Sequence, residues 1–389
     1  MKPPENRIES TLLRRINERR LLEAIQQHGP SSRAALTRVS GLTAPTVSKA
    51  VDALLKRGLV EELDPVTPAL GRPGRLVRMA ADSATVLGVV VDPTTCCVVA
   101  TGLDGLVTEE RTRRFATPGH YESLLDAIAT ACRGLLDGGA APPLGIGLSA
   151  PGLVNERLQE IVVSPNLHLL DKRNPARDLS GRLGCTAVLV QETDGLCLAE
   201  QLYGDARGLA DFAMLDVSAG LGLGVMSGGA LLSGHSGMAG ELGHVTVDLE
   251  GVRCGCGNRG CLETLATDAA LVRLCSERAG RPLDVAELAG LLAARPADFA
   301  ADVEKVTTYL AVAIAAVINI FNPTALFVHG SLLAGSPERF DRVLEAVRQR
   351  TLTASLADCT IRATTSSKRQ GAIAGIIRQI TQGWAPTIR

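Results

Sequence analysis

Aromatic side chains are scarce in this sequence, at 3% of 389 residues with a single Trp, and net charge is nearly absent at −1. Neither shortage implies disorder: 46% of the residues are hydrophobic and 21% charged, enough to bury one or more large cores. The first 25 residues contain no apolar h-region, so no secretory leader is expected. The longest apolar stretch, residues 310–321, is interrupted by Asn319 and is shorter than the ~18 residues a bilayer span requires, so no membrane role is expected. Ten cysteines without an export signal fit reduced thiols or metal ligands better than a disulfide framework, and the expected location is cytoplasmic.

The charge that is present is unevenly placed. Residues 1–80 hold 14 Lys and Arg against 8 Asp and Glu, while the remainder holds 26 against 33. A basic module ahead of an acidic body points to an anionic partner at one end, since a local positive field attracts phosphate whatever the total charge.

In that module, Ile8, Leu12, Ile16, Leu21, Leu22 and Ile25 recur at helical spacing among arginines, predicting one amphipathic helix over residues 6–28. After Gly29 and Pro30, Ser31 or Ser32 can cap a second helix from Arg33 to Val39, and Gly41 supplies a turn. Thr43 can cap a third helix, with Pro45 tolerated in its first turn. Val47, Val51 and Leu54 share one face of that helix, leaving Thr46, Lys49, Asp52 and Lys56 elsewhere. The order is that of a helix-turn-helix, whose last helix enters a major groove by its polar N-terminal part. Residues 59–62 and 76–79 would form a winging hairpin, tipped by the basic loop Gly71-Arg72-Pro73-Gly74-Arg75. Arg33, Thr43, Thr46, Ser48, Lys49, Arg72 and Arg75 are the candidate contacts to double-stranded DNA. The alternative is a helical packing domain with solvated charges.

From residue 85 the texture changes to Gly-punctuated apolar runs at 86–91, 97–100, 144–148, 187–190, 212–217 and 326–328. Helical stretches at 121–136 and 303–320 alternate with them, so the body over residues 85–389 is α/β. Its strongest chemical signal is His244, Cys254, Cys256 and Cys261, spaced H-x9-C-x-C-x4-C. One imidazole and three thiolates match a closed tetrahedral zinc site, structural because no coordination position is left open; the alternative is three ordinary thiols near a histidine.

Around this cluster stand Gly240-Glu241-Leu242-Gly243-His244 and Leu262-Glu263-Thr264. Here the sequence resembles the ROK family (repressors, open reading frames, kinases), over residues 6 to the end of the chain. The attached helix-turn-helix resembles that family's repressor branch, which includes the xylose and N-acetylglucosamine repressors. The resemblance implies a winged helix-turn-helix followed by a two-lobed actin-like ATPase fold, of the ROK sugar kinase type, around a sugar cleft. It places sugar contacts on Asn166, Asp194, Glu241, His244 and Glu263, a set whose carboxylates and amide suit ring hydroxyls. His244 would then serve both zinc and sugar, the metal fixing its orientation.

In the family's kinases the residue at Asp194 is the general base and the first strand-turn reads D-x-G-G-T, where glycine lets backbone N–H groups approach phosphate. Here the corresponding positions are Val90, Asp92 and Pro93, which replace the acid and both glycines and add a negative charge where triphosphate would lie. The second phosphate loop corresponds to Ser218-Ala219-Gly220-Leu221-Gly222-Leu223-Gly224, whose glycines could equally form a tight turn. Thr193 stands where an Asn is usual. The expectation is a sugar-responsive DNA-binding regulator, a repressor of carbohydrate genes with a vestigial base at Asp194 and no kinase activity. It would act as a homodimer or homotetramer on a DNA operator with a small sugar as effector. The competing classes are a ROK sugar kinase with retained ATP-dependent activity and a scaffold whose helix-turn-helix engages protein.

Overall fold

The N-terminal apolar periodicity forms a single helix, α1 (Glu5–His28), in a computed structural model that describes residues 5–63, 75–136, 142–155 and 157–382. Ser31 and Ser32 make a short strand, β1 (Ser31–Ser32), before α2 (Arg33–Ser40). The Ser32 hydroxyl accepts the Ala35 N–H at 3.2 Å and so caps α2, which ends on Gly41 at φ +64°, a conformation glycine adopts without steric cost. α3 (Ala44–Lys56) starts at Thr43 with Pro45 in its first turn and buries Val47, Ala50, Val51 and Leu54.

β2 (Val60–Leu63) and β3 (Leu76–Met79) pair antiparallel from Val60 opposite Met79 to Leu63 opposite Leu76, and β1 joins the outer side of β3. Three helices and a three-stranded sheet thus enclose Leu21, Leu22, Ile25, Leu36, Leu54 and Val77. Each such aliphatic side chain contributes about 1.5–3 kcal/mol on burial. Glu18 is buried among them, accepting from Arg57 at 2.7 Å and Arg14 at 3.1 Å, which ties α1 to the end of α3. The wing tip, including Arg72, lies outside the described residues.

The chain divides into two compact units. The first takes in residues 1–150, 173–190 and 368–389; the second, residues 151–172 and 191–367. In the first, residues 80–84 lead from β3 into a five-stranded sheet. The Ala80 N–H donates to Leu59 O, the Leu103 N–H donates to Ala80 O, and the Ser83 hydroxyl donates to Glu61 at 2.9 Å. The central strand Val86–Val90 has Thr95–Thr101 and then Thr112–Ala116 antiparallel on one side; on the other lie Ile146–Ala150, in parallel, and Ala187–Gln191.

The second unit repeats this order. Phe212–Asp216 has Gly222–Ser227 and then Ala230–Leu231 antiparallel on one side, with Ala325–His329 and Thr360–Ala363 in parallel on the other. The helix Ala300–Phe321 buries Val306, Leu310, Ile314, Val317 and Ile318 in this unit's core. Residues 296–321 are long and apolar enough to cross a membrane by length and composition, and more than half of the apolar window is buried in that core. All ten cysteines are free thiols.

The strands and helices expected in the body are present within three residues of their expected bounds, and so are the three helices of the module. Several elements went unanticipated, among them two strands. Thr112–Ala116 is an edge strand carrying two arginines, and Gly222–Ser227 is a strand although it begins in the glycine-rich run.

Candidate functional site

Two short turns set the geometry of the second unit's site: Leu242–His244 within the GELGH segment and Leu262–Thr264 after the last cysteine. Two isolated antiparallel bridges, Thr246 with Cys261 and Arg253 with Arg259, fold the intervening loop back on itself. The donor atoms of His244, Cys254, Cys256 and Cys261 consequently lie within 4.8 Å of one another. Cys254 Sγ is 3.7 Å from His244 Nδ1, and Cys256 Sγ is 3.7 Å from Cys261 Sγ. Those separations match the edge of about 3.8 Å in a tetrahedron with metal–sulfur bonds of about 2.3 Å. Cys254 and Cys261 are buried and Cys256 is exposed, so the four residues can hold a metal with one side toward solvent.

The expected sugar contacts gather against this cluster. His244 turns Nδ1 toward the thiols, while its Nε2 is 3.7 Å from Glu241 Oε2. Glu263 Oε1 accepts from Cys254 Sγ at 2.8 Å and lies 3.6 Å from His244 Nδ1. Burial pushes the Glu241 carboxyl above its ordinary range, with His244 opposing the shift and Glu263 adding to it. Burial and the Glu263 carboxylate likewise raise the Cys254 thiol.

Gly220 measures how closely the remaining groups approach. A Cβ placed there would lie 3.2 Å from Glu263 Oε2 and 3.8 Å from Asn166 Nδ2. Asn166 also borders the cysteine loop, since a Cβ on Gly255 would be 3.5 Å from its Oδ1. Asn166, Glu241, His244 and Glu263 therefore form one constellation around the loop at Gly220. Asp194 sits in the first turn of the helix Glu192–Tyr203, which packs against the strand Gly222–Ser227: a Cβ on Gly222 would lie 2.0 Å from Thr193 Oγ1.

Three positioning residues went unanticipated. The Gln191 side-chain oxygen caps that helix by accepting the N–H groups of Thr193, at 2.6 Å, and Asp194, at 3.0 Å. Gly222 is needed because any side chain would strike Thr193, and Gly240, at φ +91°, because a Cβ would lie 2.0 Å from Leu223 O. Glycine repetition was visible in the sequence; the helix and strand it accommodates were not.

In the first unit, the turn after Val86–Val90 is closed on itself. Asp92 Oδ1 accepts from the Thr94 N–H and hydroxyl, both at 3.2 Å, and Asp92 O accepts from the Thr117 hydroxyl at 2.6 Å. Pro93 has no N–H and that of Thr94 is engaged, so this turn offers phosphate little beyond a carboxylate.

In the N-terminal module, Thr43 and Lys49 are exposed and Thr46 and Ser48 partly so. The Thr43 and Thr46 hydroxyls hydrogen-bond each other at 2.9 Å, leaving the first N–H groups of α3 without a side-chain cap. Arg33 is held inward, donating to Asp52 at 2.8 Å and Glu62 at 3.0 Å; Arg75 donates to Glu62 at 3.1 Å.

The ROK family profile matches residues 86–377, and the MarR family profile matches residues 13–67. The xylose repressor of Bacillus subtilis is 26% identical over 332 residues, 85% of each chain. The Escherichia coli protein named DNA-binding transcriptional dual regulator NagC is 28% identical over 334 residues, 82% of each chain. A crystal structure described as a ROK family transcriptional regulator, homolog of the E. coli MLC protein, aligns with a TM-score of 0.79 at 23% identity, covering 96% of this chain and 97% of that one. Solved kinases of the family share the fold of the body. The architecture is the expected one, a MarR-like winged helix ahead of an actin-like ROK body.

Proposed function

The chain belongs to the ROK family, and from that premise we propose that it is a sugar-responsive DNA-binding transcriptional regulator, a repressor of carbohydrate uptake or metabolism genes. The observation that carries this reading is the pairing, in one chain, of a winged helix with exposed polar groups at the start of α3 and a body that gathers Asn166, Glu241, His244 and Glu263 around one loop. A repressor and a DNA-binding dual regulator matched along more than four fifths of their length support it. Residues 1–80 are the DNA-binding domain and residues 85–389 the sugar-binding domain.

In this proposal His244, Cys254, Cys256 and Cys261 hold a structural zinc ion. A bound dication would supply the positive charge that keeps the thiols as thiolates and would fix the His244 ring with Nε2 on the sugar side. Glu241, Glu263, Asn166 and Asp194 accept from and donate to ring hydroxyls, and a sugar lacking one of those hydroxyls leaves a group unpaired and is rejected. Asp194 keeps the position of a base but has no phosphoryl donor to serve, because the turn at Asp92 and Pro93 disfavours triphosphate.

On DNA, Thr43, Thr46, Ser48 and Lys49 face base edges and backbone, with Arg75 and Arg72 of the wing at phosphate or minor groove. A homodimer, or a homotetramer built from it, sets two α3 helices in successive major grooves of a near-palindrome. The sugar alters DNA affinity only as far as it binds two states of the protein unequally. Footprinting on genomic fragments tests the reading: a protected, two-fold related site that changes with one sugar supports it. Diffuse protection without symmetry, together with sugar-dependent ADP release, would make the chain a kinase.

A further inference from the structure

The Arg33 guanidinium, at the start of α2, reaches two further elements. It donates to Asp52 at 2.8 Å and to the Ser48 backbone oxygen at 3.4 Å, both on α3, and to Glu62 Oε1 at 3.0 Å on β2. The other Glu62 oxygen accepts from Arg75, just ahead of β3, at 3.1 Å. One carboxylate at the root of the wing therefore holds two arginines of a module that has to meet a polyanion. We propose that Glu62 is an internal rival of the DNA phosphates, holding Arg33 and Arg75 until Arg75 transfers to a phosphate. This rests on the DNA-binding reading above.

The two arginines are not equivalent. Arg33 is two-thirds buried and bound to both α3 and β2, so its departure would remove the cation that pairs Asp52 with Glu62 and add their negative charge to a surface facing phosphate. Arg33 is thus a positioning residue that fixes the wing against α3. Arg75 is 65% exposed, and so exposed an ion pair is weakly held and readily exchanged. The two guanidinium groups keep the Glu62 carboxyl below its ordinary range, so the rival charge is present throughout the neutral range. Each DNA contact by Arg75 then breaks a bond as well as making one, which weakens sequence-independent binding in particular because base contacts do not offset the exchange.

The test is binding of the full-length protein to a mixed-sequence DNA duplex, followed by fluorescence anisotropy across a salt series. Glu62→Gln is expected to bind about fourfold tighter at about 0.2 M salt, with the parent's log–log salt slope, since Arg75 neutralises the same phosphate in both. In an Arg75→Gln background the same substitution should give no gain. Thermal melts of each variant establish that it is folded. Unchanged or weaker binding by folded Glu62→Gln makes Glu62 a brace for the wing and overturns the proposal. A gain that persists without Arg75 overturns it as well. Absence of salt-dependent DNA binding by the parent protein overturns the DNA-binding reading and this proposal together.

Discussion

The two five-stranded sheets have the same strand order, yet the turn that leaves the central strand of each has opposite chemistry. In the first, Asp92 folds its carboxylate onto Thr94 and Pro93 removes a donor, so the turn is closed and anionic. In the second, Gly220 leaves room for Glu263 and Asn166 to approach, so the turn is open and lined by polar side chains. Strand order is set by apolar burial along whole strands, whereas the chemistry depends on a few turn residues that can change without disturbing the core. A framework shared with kinases can therefore carry different turn chemistry in its two sheets.

The contrast is broken most severely through the metal loop. Cys254→Ala removes a buried donor, and metal analysis of the purified protein should show tenfold or greater loss of bound zinc, with the sugar effect on DNA binding lost. Retained zinc would separate the cysteines from the metal. Glu263→Gln keeps the shape but removes a charged hydrogen-bond partner. Sugar affinity by calorimetry should fall about 10- to 100-fold while DNA affinity without sugar is kept, as expected when a charged hydrogen bond of about 1.5–3 kcal/mol is removed. Gly222→Ala sharpens the packing side of the comparison. Its Cβ would sit 2.0 Å from Thr193 Oγ1, and denaturant unfolding should show a loss of about 1–3 kcal/mol. Gly119→Ala, which meets nothing within 4 Å, is the control and should be close to neutral. The smallest effect is expected from opening the closed turn. Replacing Asp92 and Pro93 by glycine should raise ADP affinity by about tenfold or less, since the change restores only one or two donors and removes one repulsive charge.

Much of this was legible in the sequence because its signals are local. Ser32, Gly41 and Thr43 mark the helix ends of the module, and the apolar runs at 86–91 and 212–217 are buried strands whose side chains leave little alternative. The spacing from His244 to Cys261 is short enough that one folded loop brings all four donors together. Illegible features depend on contacts between distant segments. Gly222–Ser227 reads as a loop because glycine is a poor strand former, and only the helix packed against it explains why glycine is required there. Thr112–Ala116 alternates weakly and, as an edge strand, exposes most of its residues. The pairing of Arg33 with Glu62 spans 29 positions, and no pattern in the sequence points to it.

The most direct measurement is affinity selection of fragmented genomic DNA by the zinc-loaded full-length protein, sequenced with and without each member of a sugar panel. The structure and its relatives predict enrichment of a near-palindrome beside genes of sugar uptake or degradation, with recovery changed by one sugar. A folded, zinc-loaded protein that enriches no site under any sugar would contradict the regulator reading.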